Sequence, residues 1–149
     1  MSINFNKYAE EGNAFINRLA KSLGHPEETG RTGIILRAVL HALRERITIP
    51  ESFNLMSQFP MFIKSIYVDG WKYRVQPLKF KKEEFLEEIK RHQDQLGENE
   101  FPWEESTNEI VKTVIKELSA FISPGEMGDI VAQLPDDFKE LFPADSQSG

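Results

Sequence analysis

The chain has 149 residues, 40% hydrophobic and 28% charged, which suits one globular domain or two half-size units sharing a core. Its 11 Phe and 2 Trp supply the bulk for that core. The lack of Cys excludes disulfides, thiolate metal sites, Fe–S clusters and Cys nucleophiles, and fits a reducing compartment. The formal net charge of −6 disfavours general binding to nucleic acid or anionic membranes.

The N-terminus has no basic stretch followed by an apolar run, so no signal peptide is expected. The first predicted helix carries an apolar stripe of Phe5, Tyr8, Ala9, Gly12, Phe15, Ile16, Leu19 and Leu23, and ends at Gly24. In the second, Ile35, Ala38, Val39, Ala42, Leu43 and Ile47 recur at three- and four-residue steps. The longest aliphatic runs, such as Ile34-Ile35-Leu36, fall far short of the roughly 20 residues a membrane helix needs. Thr48-Ile49-Pro50-Glu51 reads as a capping box: the hydroxyl takes an orphan N–H, and the Glu reaches back to the cap residue. A short helix over about 50–58 ends at Gln58-Phe59-Pro60, because proline disfavours the α conformation in the residue before it. Another follows over about 61–67.

Tyr67-Val68-Asp69-Gly70-Trp71-Lys72-Tyr73 holds an Asp-Gly turn. It permits a short hairpin, but a loop laying Trp71 on the core is the favoured reading. Residues 75–80, with Pro77 and Lys79, form a linker. The next stripe is Phe80, Phe85, Leu86, Ile89 and Leu96, ending at Gly97. Phe101-Pro102-Trp103 precedes another helix start, where Trp103 can act as a staple against the first turn. That helix carries Val111, Val114, Ile115, Leu118, Phe121 and Ile122. Ser123-Pro124-Gly125-Glu126 is a second capping box, with short helices over about 124–133 and 136–142, and residues 143–149 are a flexible tail.

Residues 37–67 align without a gap on residues 112–142. Seven of the 31 positions are identical: Val39/Val114, Leu43/Leu118, Ile47/Ile122, Glu51/Glu126, Gln58/Gln133, Pro60/Pro135 and Lys64/Lys139. The matches fall at helix stripes, caps and stops, the signature of a duplication. The expected fold is all-α: two pseudo-symmetric repeats of about four helices each, over about 5–74 and 80–142, in one compact domain. Charge divides unevenly between them. Residues 1–74 hold 10 Lys/Arg against 7 Asp/Glu, net +3, and residues 75–149 hold 8 against 17, net −9. Either the halves attract each other or a partner, or their solvated faces have drifted in composition.

The run from Arg37 through Arg44-Glu45-Arg46-Ile47-Thr48, Gln58-Phe59-Pro60, Gly70-Trp71, Phe85-Leu86, and Ser123-Pro124-Gly125-Glu126 through Ala132-Gln133-Leu134-Pro135 resembles the bacterial domain of unknown function 2267 family. The resemblance spans about residues 5–142. It implies an all-helical protein of bacterial type and carries over no catalytic residues. The chain departs from the family pattern at Ile49-Pro50 and at Phe59.

No catalytic constellation is visible. His25, His41 and His92 are scattered, and His41 with Glu45 makes only one pair at ligand spacing, short of the three or four ligands a metal site needs. No phosphate-binding loop or nucleophile elbow occurs. Glu83, Glu84, Glu87 and Glu88 read as an exposed face rather than a catalytic pair. Arg37, His41 and Arg44, at i, i+4 and i+7, form a candidate binding face to which Arg31 and Lys64 can add. Trp71 is a candidate anchor in a loop. The expectation is therefore a cytoplasmic, non-enzymatic interaction or regulatory module without cofactor or metal. It would bind a protein partner through a composite charged surface. An enzyme using a cleft between the repeats, or nucleic-acid binding through the arginine face, are the alternatives.

Overall fold

The structure, a computed structural model, describes residues 3–72, 77–78, 81–95 and 103–143. Of the features expected above, most of the linker, the tail from residue 144, Phe80, the His92 side chain, Leu96, Gly97 and Phe101-Pro102 lie outside the described residues. Among those described, all regular structure is helical. The helices are α1 (Phe5–Ser22), α2 (Thr29–Arg44), α3 (Ile49–Gln58), α4 (Met61–Val68), α5 (Lys82–Gln95), α6 (Thr107–Leu118) and α7 (Pro124–Ala132), with 3-10 segments over Ser119–Phe121 and Asp136–Leu141. None is long and apolar enough to cross a membrane.

Local chemistry sets the boundaries. Asn4 caps α1 by accepting from Lys7 N at 3.1 Å. The helix closes in a Schellman motif. Gly24 takes φ +85°, His25 N donates to Ala20 O and Gly24 N to Lys21 O. Thr48, Ser106 and Ser123 cap α3, α6 and α7, each accepting from the backbone N–H three residues on. Phe59, before Pro60, is extended at ψ 146°, which ends α3. The last expected helix forms as a six-residue 3-10 segment, not an α-helix like α4. Short segments commonly tighten this way. Residues 67–73 contain no strand in their described part: Gly70, at φ +68°, turns the chain and Trp71 packs its edge on Tyr67, 5.6 Å between centroids.

Helix α2 is buried on nearly every side, with Ile35, Leu36, Ala38, Val39, Leu40 and Ala42 fully covered by α1, α4, α5 and α6. Val39, Leu43, Val114 and Leu118 are buried as their period predicts, in one contiguous core cluster fed by all seven helices. Trp103 is buried too, but not as a simple staple. It stacks flat on His25, 4.1 Å away, and donates Nε1–H to Glu28 Oε2 at 2.7 Å, so it fastens the α1–α2 connection. Glu88 departs from the expected exposed face. It pairs with Arg46, which is fully buried, lies over Phe85 and also donates to Ala42 O.

Candidate functional site

Two of the three basic side chains expected on the surface of α2 point inward. His41 and Arg44 are only 5% and 6% exposed. The last carbonyls of any α-helix have no intrahelical partners, and at the end of α4 side chains of α2 serve them. His41 Nε2 lies 2.7 Å from Ile66 O, and Arg44 Nη1 donates to Tyr67 O at 2.6 Å and to Asp69 O at 2.7 Å. Arg37 Nη1 pairs with Asp69 Oδ2 at 2.7 Å and holds that carboxyl below the usual carboxylate range. Burial lowers the Arg44 pKa, with Glu45, Tyr67 and Asp69 acting against it. Trp71 lies beside this cluster, 6.0 Å from the Arg44 guanidinium. The four candidates therefore do come together, but His41 and Arg44 cap the negative end of a helix and Arg37 pairs with Asp69, rather than presenting a free cationic face. The spacing on α2 was readable. What faced it was not.

Positions 75 residues further along form a different surface. Lys112, Lys116, Leu141 and Phe142 stand at the offsets of Arg37, His41, Ile66 and Tyr67. With Glu109, Thr113 and Pro143 they line a cavity of about 400 Å³. Lys112 and Lys116 are exposed, and the 3-10 segment replaces α4 here. This volume falls within the roughly 300–1,000 Å³ usual for ligand pockets.

A third cluster sits where α3 and α7 pack. Thr48 N donates to Gln133 Oε1 at 3.0 Å, and Ser123 N donates to Gln58 Oε1 at 2.7 Å. Gln133 Nε2 reaches back to Thr48 Oγ1, and Gln58 Nε2 to Ser123 Oγ, each at 3.4 Å. Each helix start is thus capped by the glutamine at the other helix's end, so the two run antiparallel. The expected capping boxes form only by half. Thr48 and Ser123 accept as predicted, but a distant glutamine, not the local glutamate, takes the N–H of each cap residue.

Glu51 and Glu126 are left to face each other. They are 8% and 7% exposed, and each has a buried Oε2 without a hydrogen-bond partner. Carboxylate oxygens of Glu51, Glu126 and the exposed Asp129 all lie within 4.8 Å of one another. Burial, a hydrogen bond to Glu51 and the charges of Glu51 and Asp129 push the Glu126 carboxyl up to about 8. At neutral pH Glu126 keeps its proton, as the pair's shared proton. This pair went unread as a site because its local pattern is satisfied by capping. Its one sequence signal is that Glu and Gln both recur at the 75-residue offset.

A family model described as Uncharacterized conserved protein (DUF2267) matches residues 12–141. A search of curated proteins returns no match.

Proposed function

We propose that this chain, which belongs to the DUF2267 family, is a non-enzymatic interaction module made of two pseudo-symmetric halves in one domain. In this reading its second half receives an acidic, aromatic peptide segment of a protein partner. The carrying observation is the different fate of equivalent places in the two halves. In the first, the chain's own Asp69-Gly70-Trp71 closes over the C-terminal end of α4, with Arg37 on Asp69 and Trp71 against Tyr67. In the second, Lys112, Lys116, Leu141 and Phe142 line a cavity at the same positions that the described residues leave open. The first half thus serves as an internal template for what the second would take. Two lysines favour a carboxylate, against the one Glu109 carboxylate in the same lining, and the Leu141–Phe142 floor suits an aromatic ring. The cysteine-free composition suits the cytoplasm, which this reading takes as the location.

The test uses a fluorescent peptide of residues 66–72, Ile-Tyr-Val-Asp-Gly-Trp-Lys, titrated with the intact protein and followed by anisotropy. Saturable binding should weaken more than tenfold in the Lys112→Glu, Lys116→Glu double variant. Both lysines are exposed, so its thermal midpoint should hold. A scrambled peptide should bind no better than that variant. Absence of binding, or binding that ignores the double reversal, overturns the reading.

A further inference from the structure

We propose that Glu51, Glu126 and Asp129 form a divalent-cation site, with calcium the best fit, at the packing seam of α3 and α7. Three carboxylates close together do not make a site. A second feature points to a ligand: the Glu126 side chain, 7% exposed, turns into the cluster with its Oε2 lacking any donor from outside the pair, and Glu51 Oε2 is in the same state. Among the described residues no Lys or Arg pairs with any of the three. Buried carboxylate oxygens need a proton, a donor or a metal.

An all-oxygen donor set selects hard cations over zinc or copper. The three oxygens lie within 4.8 Å of one another, in positions set by helix packing. Calcium's flexible coordination accepts such a set more readily than the near-ideal octahedron magnesium demands. Asp129 is exposed, so the ion has an entry path and room to keep waters. Gln133 Nε2, 3.3 Å from Glu51 Oε1, holds that carboxylate in orientation, as outer-shell partners of metal ligands do. The positive ends of α3 and α7 oppose a cation here, so moderate affinity is expected rather than tight binding.

Ligating carboxylates are deprotonated, and the charged groups facing Glu126 are Glu51 from α3 and Asp129 from its own helix. The site joins the two halves but does not depend on the peptide reading. Loss of peptide binding would leave it standing, and the reverse holds too.

The experiment follows thermal unfolding and isothermal titration calorimetry of the intact, EDTA-stripped protein with calcium, magnesium or manganese chloride at pH 6 and pH 8.5. Calcium should raise the midpoint by several degrees at pH 8.5, with one saturable site per chain. Magnesium should bind more weakly than calcium. Glu126→Gln, a neutral mimic of the protonated side chain, should fold at least as stably as the parent at pH 8.5 without metal and lose the calcium response. Asp129→Asn should weaken it at least tenfold. No response to millimolar calcium, or the same response in both variants, overturns the proposal. A pH-dependent midpoint without any calcium effect would also overturn it, leaving the pair as a proton-sharing contact alone.

Discussion

Glu126→Gln should flatten the dependence of stability on pH. In the folded chain this carboxyl titrates at about 8, against 4.5 for the ordinary group, so the folded state binds the proton more tightly than the unfolded state. A carboxyl raised in this way gives its full stabilisation below about pH 4.5 and loses it as pH rises toward 8. Above that, both states are ionised and the dependence ends. One proton limits the slope to about 1.4 kcal/mol per pH unit. Between pH 6 and pH 8 the parent should therefore lose about 1–3 kcal/mol relative to Glu126→Gln, the range allowing for the exposed Asp129 beside the pair. Other titrating groups are common to both proteins and cancel in the difference. Urea denaturation at pH 5, 6, 7, 8 and 9 in metal-free buffer measures it directly. Parallel profiles for the two proteins would show that Glu51 and Glu126 do not share a proton.

Three further perturbations follow from the packing. Arg44→Met leaves the Tyr67 and Asp69 carbonyls without their charged donor and should cost about 2–4 kcal/mol. Arg37→Met breaks a half-exposed pair and should cost less than about 1 kcal/mol; the opposite order by urea midpoint would refute the internal role of Arg44. Leu43→Ala and Leu118→Ala should each cost roughly 2–5 kcal/mol, and losses below about 1 kcal/mol at both would remove them from the core. Gln58→Ala and Gln133→Ala each uncap the opposite helix and should cost similar amounts, about 0.5–2 kcal/mol. If only one of them mattered, the caps would not be exchanged.

The helices were legible because each one states its limits locally. Hydroxyl caps at Thr48, Ser106 and Ser123, prolines at 60 and 135, and Gly24 beyond α1 all act within a few residues of themselves. The core was legible from its period. The site was not, because its contacts run between elements. Spacing on α2 shows that Arg37, His41 and Arg44 share a side, but only the packed fold brings the bare carbonyls of α4 beneath them. Arg46 becomes half of a buried ion pair only once α5 lies against α2. At Glu51 and Glu126 a correct local rule concealed the distant partner. The motif predicts a glutamate on the cap N–H, and a glutamine 85 residues away at Thr48 and 65 residues away at Ser123 takes it instead.

The proposed duplication and peptide site are tested together by a titration of the isotope-labelled intact protein with the 66–72 peptide followed by amide chemical shifts. The account predicts saturable shifts at Lys112, Thr113, Lys116 and Phe142, which surround the cavity, while the equivalent positions Arg37, Ala38, His41 and Tyr67 stay still because the chain already fills that place. Shifts centred on the first half, or none at saturating peptide, would contradict it.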